Sequence, residues 1–98
     1  MARYVTLINW TEQGASGYRS TIDRATAANE LFGSFGGSLV DVYWTLGAYD
    51  LVTVAEFPDD ESATAALLRL AEQGNVRTTT MRAFDRAGMA DIVAKASG

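Results

Sequence analysis

Ninety-eight residues, 48% of them hydrophobic and 20% charged, make one small folded domain spanning residues 1–98, and at that size only about 60 to 70% of the chain's surface is buried, which favours self-association. A formal charge of −4, with eight basic residues scattered along the chain, opposes phosphate binding, so no nucleic acid and no anionic membrane is expected as a partner. Cysteine and histidine are absent, which removes disulfides, thiolate nucleophiles, the usual zinc and haem ligands and the side chain that titrates nearest neutrality; no metal and no cofactor is expected.

Residues 3 to 10, with Tyr4, Val5, Leu7, Ile8 and Trp10, form a β-branched and aromatic run with polar insertions, the pattern of a strand. The stretch is too short to span a membrane and carries Thr6 and Asn9, so it reads neither as a spanning helix nor as a signal peptide, and a cytoplasmic location follows as the expectation. TEQGASG breaks the strand with two glycines. From Ser20 to Phe35 the apolar positions Ile22, Ala25, Ala28, Leu31, Phe32 and Phe35 recur at intervals of three and four, predicting a helix with Ser20 as N-cap and Gly36-Gly37 as its stop.

LVDVYWTL (39–46) and DLVTVAEF (50–57) read as two strands around Gly47-Ala48, a pair that suits a two-residue type II′ turn because glycine accepts positive φ at its first central position. Pro58 ends the second of these strands. Asp59, Asp60 and Glu61 then place carboxylates in a first helical turn, where the macrodipole favours them; with no facing acidic partner they make no calcium loop. Ala63, Ala66, Leu67, Leu70 and Ala71 form the apolar stripe of that helix, and Gly74 stops it. NVRTTTMRAF (75–84), rich in β-branched threonine, predicts a fourth strand, after which Asp85 caps a short C-terminal helix carrying Met89, Ile92 and Val93.

The order β-α-β-β-α-β predicts an α+β, ferredoxin-like sandwich: one four-stranded antiparallel sheet with both long helices on one face. With Gly47-Ala48 as the loop, facing residues sum to 95. Thr45, Asp50, Tyr43, Val52, Asp41 and Val54 then share one face, while Trp44, Leu51, Val42, Thr53, Val40 and Ala55 share the other; a three-residue loop would reverse this parity. Each face carries several large apolar groups, too many to leave in water. The expectation is a homodimer, or a higher homo-oligomer, in which two open faces pair as a dimeric α/β barrel with a space between the sheets.

YVTLINWTEQG near the start, GGSLVDVYWTLGAYDLVTVAEFPDDESA in the middle and GNVRTTTMRAF near the end resemble the GYD-domain family, whose G-x-Y-D stretch is matched here by Gly47, Tyr49 and Asp50. The resemblance covers about residues 3 to 85 and implies the dimeric α/β-barrel superfamily without supplying a function. Gly33 and Ser34 depart from the better helix formers expected late in the first helix. LGAYDLVTVAEFPDDE followed by GNVRTTTM is also similar to the ligand-binding domain of leucine-responsive and AsnC-type regulators, where the corresponding hairpin and strand adjoin an effector site at a dimer interface. This chain carries no helix-turn-helix half.

Asn9, Tyr43, Thr45, Asp50 and Arg77 stand out as ligand-binding candidates, with Tyr49 joining Asp50 as a candidate if the chain is an enzyme. Asp50 either clasps amides or hydroxyls of its own turn, with Thr45 opposite it, or accepts from a ligand's amine or hydroxyl. Asn9 is polar amid an apolar central strand and requires a partner if buried. Tyr43 and Tyr49 are either packed aromatics with hydroxyls at the surface or site groups. Arg77, on one face with Thr79 while Arg82 lies opposite with Thr78 and Thr80, offers a bidentate fork for a carboxylate or pairs with Asp50 or Glu56. Trp10 and Trp44 read as core or interface anchors.

These features favour a small-molecule-binding module with an apolar pocket at the homodimer interface, fixed by Asn9, Tyr43, Thr45, Asp50 and Arg77. The alternative is a cofactor-independent oxygenase, isomerase or cyclase acting on an aromatic or polyketide-like substrate, with Asp50 or Tyr49 handling the proton, by analogy with other barrels of the superfamily.

Overall fold

β-branched and aromatic residues alternating with polar ones build the strands, and alanine- and leucine-rich segments with acidic starts build the helices. The computed structural model describes residues 1–98, in the order β1 (Ala2–Trp10), α1 (Glu12–Ser16), a 3-10 turn (Tyr18–Ser20), α2 (Thr21–Ser34), β2 (Ser38–Trp44), β3 (Leu51–Phe57), α3 (Asp60–Glu72), β4 (Val76–Ala83) and α4 (Arg86–Ser97). The four strands form one open antiparallel sheet in the order β2-β3-β1-β4. This is the ferredoxin-like arrangement.

The period-2 pattern assigns the faces. Along β3, Leu51, Thr53, Ala55 and Phe57 are buried beneath the helices, while Val52, Val54 and Glu56 between them are only partly covered. β1 answers in register: Tyr4 lies opposite Ala55, Thr6 opposite Thr53 and Ile8 opposite Leu51. The core gathers at one end of this face, where Tyr4, Phe32, Phe57, Ala55, Ala63 and Ala66 pack together. Phe57 stacks edge-on to Tyr4, with ring centroids 5.9 Å apart, and tilted to Phe32 at 5.1 Å, geometries that suit the ring quadrupole.

The hairpin keeps the expected parity with a longer loop. Tyr43 faces Val52, Trp44 faces Leu51, and the Thr45 amide donates to the Asp50 carbonyl at 2.9 Å, so the loop is the four residues 46–49 rather than Gly47-Ala48 alone. Two- and four-residue loops share parity, which is why the face assignment holds. Gly47 has φ of 122° in open space, a conformation that favours glycine. A register shift between Leu39 and Asp41 sets Leu39, not Val40, opposite Ala55.

Three local expectations give way. TEQGASG does not simply break the chain: Thr11 caps α1, its Oγ1 accepting from the Gly14 amide at 3.2 Å. Ser20 precedes α2 but does not cap it, because its hydroxyl donates instead to the Gly17 carbonyl at 3.0 Å. Ile22 points outward, 61% exposed, and the covered stripe of α2 runs through Arg24, Ala25, Ala28, Leu31, Phe32 and Phe35. The helix continues through Gly33 and Ser34. α3 starts on Asp59, whose carboxylate accepts from the Ser62 amide at 2.8 Å, and α4 on Asp85, which does the same for Gly88. No residue of α4 is buried, and the molecule measures 52 × 31 × 17 Å.

Candidate functional site

The face turned away from the helices carries Asn9, Tyr43 and Arg77, while Thr45 and Asp50 lie at its edge in the hairpin loop. Val5, Leu7, Val52 and Val54 form its half-covered apolar centre, with Met81 and Tyr43 exposed on the flanking strands. Asn9 and Arg77 are direct cross-strand neighbours on β1 and β4. Neither makes a side-chain hydrogen bond or an ion pair within the chain, so both keep their full polar capacity. Arg77 therefore pairs with neither Asp50 nor Glu56; Glu56 meets Arg3 across the strands at 3.7 Å.

Asp50 has a partner outside its own turn. Its amide donates to the Ile8 carbonyl at 2.8 Å, and its Oδ2 accepts from the Trp10 amide at 2.9 Å. The side chain takes the place of the next backbone acceptor after β3 has turned away, which extends the β1–β3 ladder beyond the Ile8–Leu51 pair. Thr45 bonds the turn instead: its hydroxyl donates to the Tyr49 carbonyl at 2.6 Å. Tyr49 stands on the exposed loop beside Asp50, and Tyr43 is 58% exposed on β2.

Beneath the helices, beyond Phe32 toward the other end of the sheet, lies a cavity of about 70 Å³ with Phe32 in its wall. Its wall comes from β1, β2, β3, α2, α3 and the start of β4, and includes Trp10 but none of the five candidates. Trp44 stands 41% exposed, its Nε1 donating to the Thr21 hydroxyl at 2.9 Å. Arg24 enters the cavity wall from α2. Arg24 is absent from the sequence-based candidates, although it sits one turn before Ala28 on the same stripe, and that spacing is the signal for its placement.

Strong electrostatic perturbation lies in neither place. Burial, reinforced by a hydrogen bond to the Asp60 carboxylate, pushes the Tyr4 hydroxyl up to about 12 at the aromatic end of the core. Hydrogen bonding at the start of α3 holds Asp59 below its ordinary value. No cluster of three metal-ligating side chains occurs, and no helix is long and apolar enough to cross a membrane.

The chain is similar to known proteins over most of its length. The GYD domain family model matches residues 4–93. A Thermus thermophilus protein described as a glutamine synthetase and cystathionine beta-lyase binding protein is 34% identical over 96 residues, covering 97% of this chain and 98% of that one. The crystal structure of TTHA0845, also from Thermus thermophilus, superposes with a TM-score of 0.54 at 25% identity, covering 87% of this chain and 95% of the other.

Proposed function

Because this chain belongs to the GYD domain family, we propose that it is a binding module that pairs with a second copy through the open sheet face and docks on a metabolic enzyme, of the glutamine synthetase or cystathionine beta-lyase kind. The observation that carries this reading is the end-to-end similarity to a relative of the same length described as binding those two enzymes. Pairing is supported by the chain itself. Only eleven of its 98 residues are buried, a thin core for an isolated domain, while Val5, Leu7, Val52 and Val54 offer a continuous apolar centre on the uncovered face.

A small organic ligand in the space between paired sheets fits the same face. Asn9 and Arg77 bring an uncommitted amide and guanidinium side by side at one end of it, with Asp50 just before β3 and Tyr43 farther off on the edge strand β2. That combination suits a carboxylate-bearing molecule with an apolar body.

Light scattering combined with surface-immobilised binding tests both parts. The expected mass is twice the 10.5 kDa of one chain, reduced to a single chain by Leu7→Glu, and glutamine synthetase or cystathionine beta-lyase from the same organism binds saturably. A monomeric wild type removes the pairing; a dimer that binds neither enzyme removes the docking. Native mass spectrometry of the purified dimer reads the ligand separately, as a fixed added mass that Arg77→Gln abolishes.

A further inference from the structure

We propose that the cavity between the helices and the sheet binds a small branched aliphatic monocarboxylate, with Arg24 holding the carboxylate and Ile8, Ala28, Val42 and Leu70 enclosing the hydrocarbon end. This site lies on the opposite side of the sheet from the face proposed above and stands or falls independently of it.

Protein interiors pack to crystal-like density and hold few voids larger than a water, yet here a partly open cleft of about 70 Å³ remains between helices and sheet. The space exists because the α2 stripe carries Ala25 and Ala28 here, where one turn later it carries Phe32. Eleven of the seventeen lining residues are hydrophobic, which makes the cavity a poor host for water, since an ordered water needs two to four polar partners. Several polar neighbours are already engaged: Thr6 bonds Thr80, Thr21 accepts from Trp44, and Asn75 accepts from Gln13.

Among the groups with capacity left, Arg24 stands apart from the neutral Thr53 and Gln73. It is the only charged side chain in the wall, it is half-buried, and its one hydrogen bond runs from Nη2 to the Gly14 carbonyl at 3.1 Å. No carboxylate lies within ion-pair distance of it. A guanidinium has five N–H donors in a planar fork that matches a carboxylate, so most of this one's capacity is left without a partner beside an apolar space. No acidic side chain lines the wall, so the ammonium of an amino acid would go unmatched; the ligand is an anion without a compensating cation. At roughly 30 Å³ for each water-sized group, the void takes two or three such groups, the size of an isopropyl end.

The test is calorimetric and NMR titration of the purified protein with 3-methylbutanoate, using leucine and 3-methylbutan-1-ol as ammonium-bearing and uncharged controls. Saturable binding is expected at high-micromolar to about millimolar concentration, as suits a ligand of this size, with amide shifts clustered at Ala28, Val42 and Leu70. Leucine and the alcohol are expected to bind at least about tenfold more weakly, because the first brings an unmatched ammonium and the second leaves the guanidinium unmatched. Arg24→Gln should weaken 3-methylbutanoate by about tenfold or more. Ala28→Leu, which fills the void, should abolish binding while raising the melting temperature. The second variant decides the matter if Arg24→Gln fails to fold. Absence of saturable binding, equal affinity for the alcohol, or undiminished binding by Ala28→Leu overturns the proposal.

Discussion

The two ends of the helix-covered face are built from the same elements and differ in filling. At one end β1 contributes Tyr4, α2 Phe32 and β3 Phe57, and the three rings interlock; at the other β1 contributes Ile8, α2 Ala25 and Ala28, and β3 Leu51, and a cavity remains. Side-chain size at facing positions, not backbone architecture, decides which end is packed and which is hollow. The contrast predicts opposite responses to volume changes. Phe57→Ala, which empties the only large side chain that is fully enclosed, should lower the unfolding free energy by about 3–5 kcal/mol in urea titration. Enlarging Ala28 at the hollow end should do the reverse.

The hollow end is also closed differently, by a clasp of backbone and amide groups instead of rings. The Thr11 amide donates to the Asn75 carbonyl at 3.0 Å, the Thr11 hydroxyl to the Gly74 carbonyl at 2.6 Å, and Gln13 Nε2 to the Gln73 carbonyl and to Asn75 Oδ1. Gly14 is buried against Asn75 so closely that a Cβ would overlap the Asn75 carbonyl. Gly14→Ala therefore pushes α1 off the loop between α3 and β4 and should cost up to about 3 kcal/mol, the usual scale of overpacking. Thermal unfolding gives the loss, and hydrogen exchange at Thr11 shows whether it starts at the clasp. If Gly14→Ala leaves both unchanged, the two ends are not distinguished by how they are held.

Much of the scaffold is legible in the sequence because strands and helices impose short periods. The sum-95 pairing across the hairpin places Asp41, Tyr43, Val52 and Val54 on one face, and the structure keeps them there despite a loop twice the expected length, since parity survives an even change. What stays hidden depends on contacts between segments far apart in the chain. The role of TEQG as a clasp needs Gly74 and Asn75, some sixty residues away. The cavity needs alanines that look like an ordinary helix stripe, and Arg24 joins its wall only once α2 turns Ile22 outward. The partner of Asp50 is hidden for the same reason: local turn chemistry points to Thr45, while the Trp10 amide comes from another strand.

Asp50 sharpens the comparison at the hollow end, where Trp10 is part of the wall. Asp50→Ala leaves the half-buried Trp10 amide without its acceptor and should cost about 1–2 kcal/mol. Asp50→Asn keeps an acceptor oxygen and should cost less. Exchange of the Trp10 amide is the direct readout: fast in the alanine variant and protected in the asparagine variant. Equal protection in both would mean that the carboxylate does not hold β1.

The smallest effect belongs to the packed end and shows most clearly at high pH. Tyr4 is buried with its hydroxyl on Asp60, and its ionisation is raised from 10 to about 12. The folded state thus prefers the neutral phenol, so its contribution is fully present below pH 10 and is lost as pH rises from 10 toward 12, where the unfolded chain ionises first. Tyr4→Phe should cost about 1 kcal/mol at neutral pH through the lost hydrogen bond. It should also flatten the alkaline fall in melting temperature over that range, leaving the hollow end's response to Ala28→Leu untouched. A Tyr4→Phe protein that still loses stability there as steeply as the wild type would place the alkaline sensitivity outside the aromatic plug.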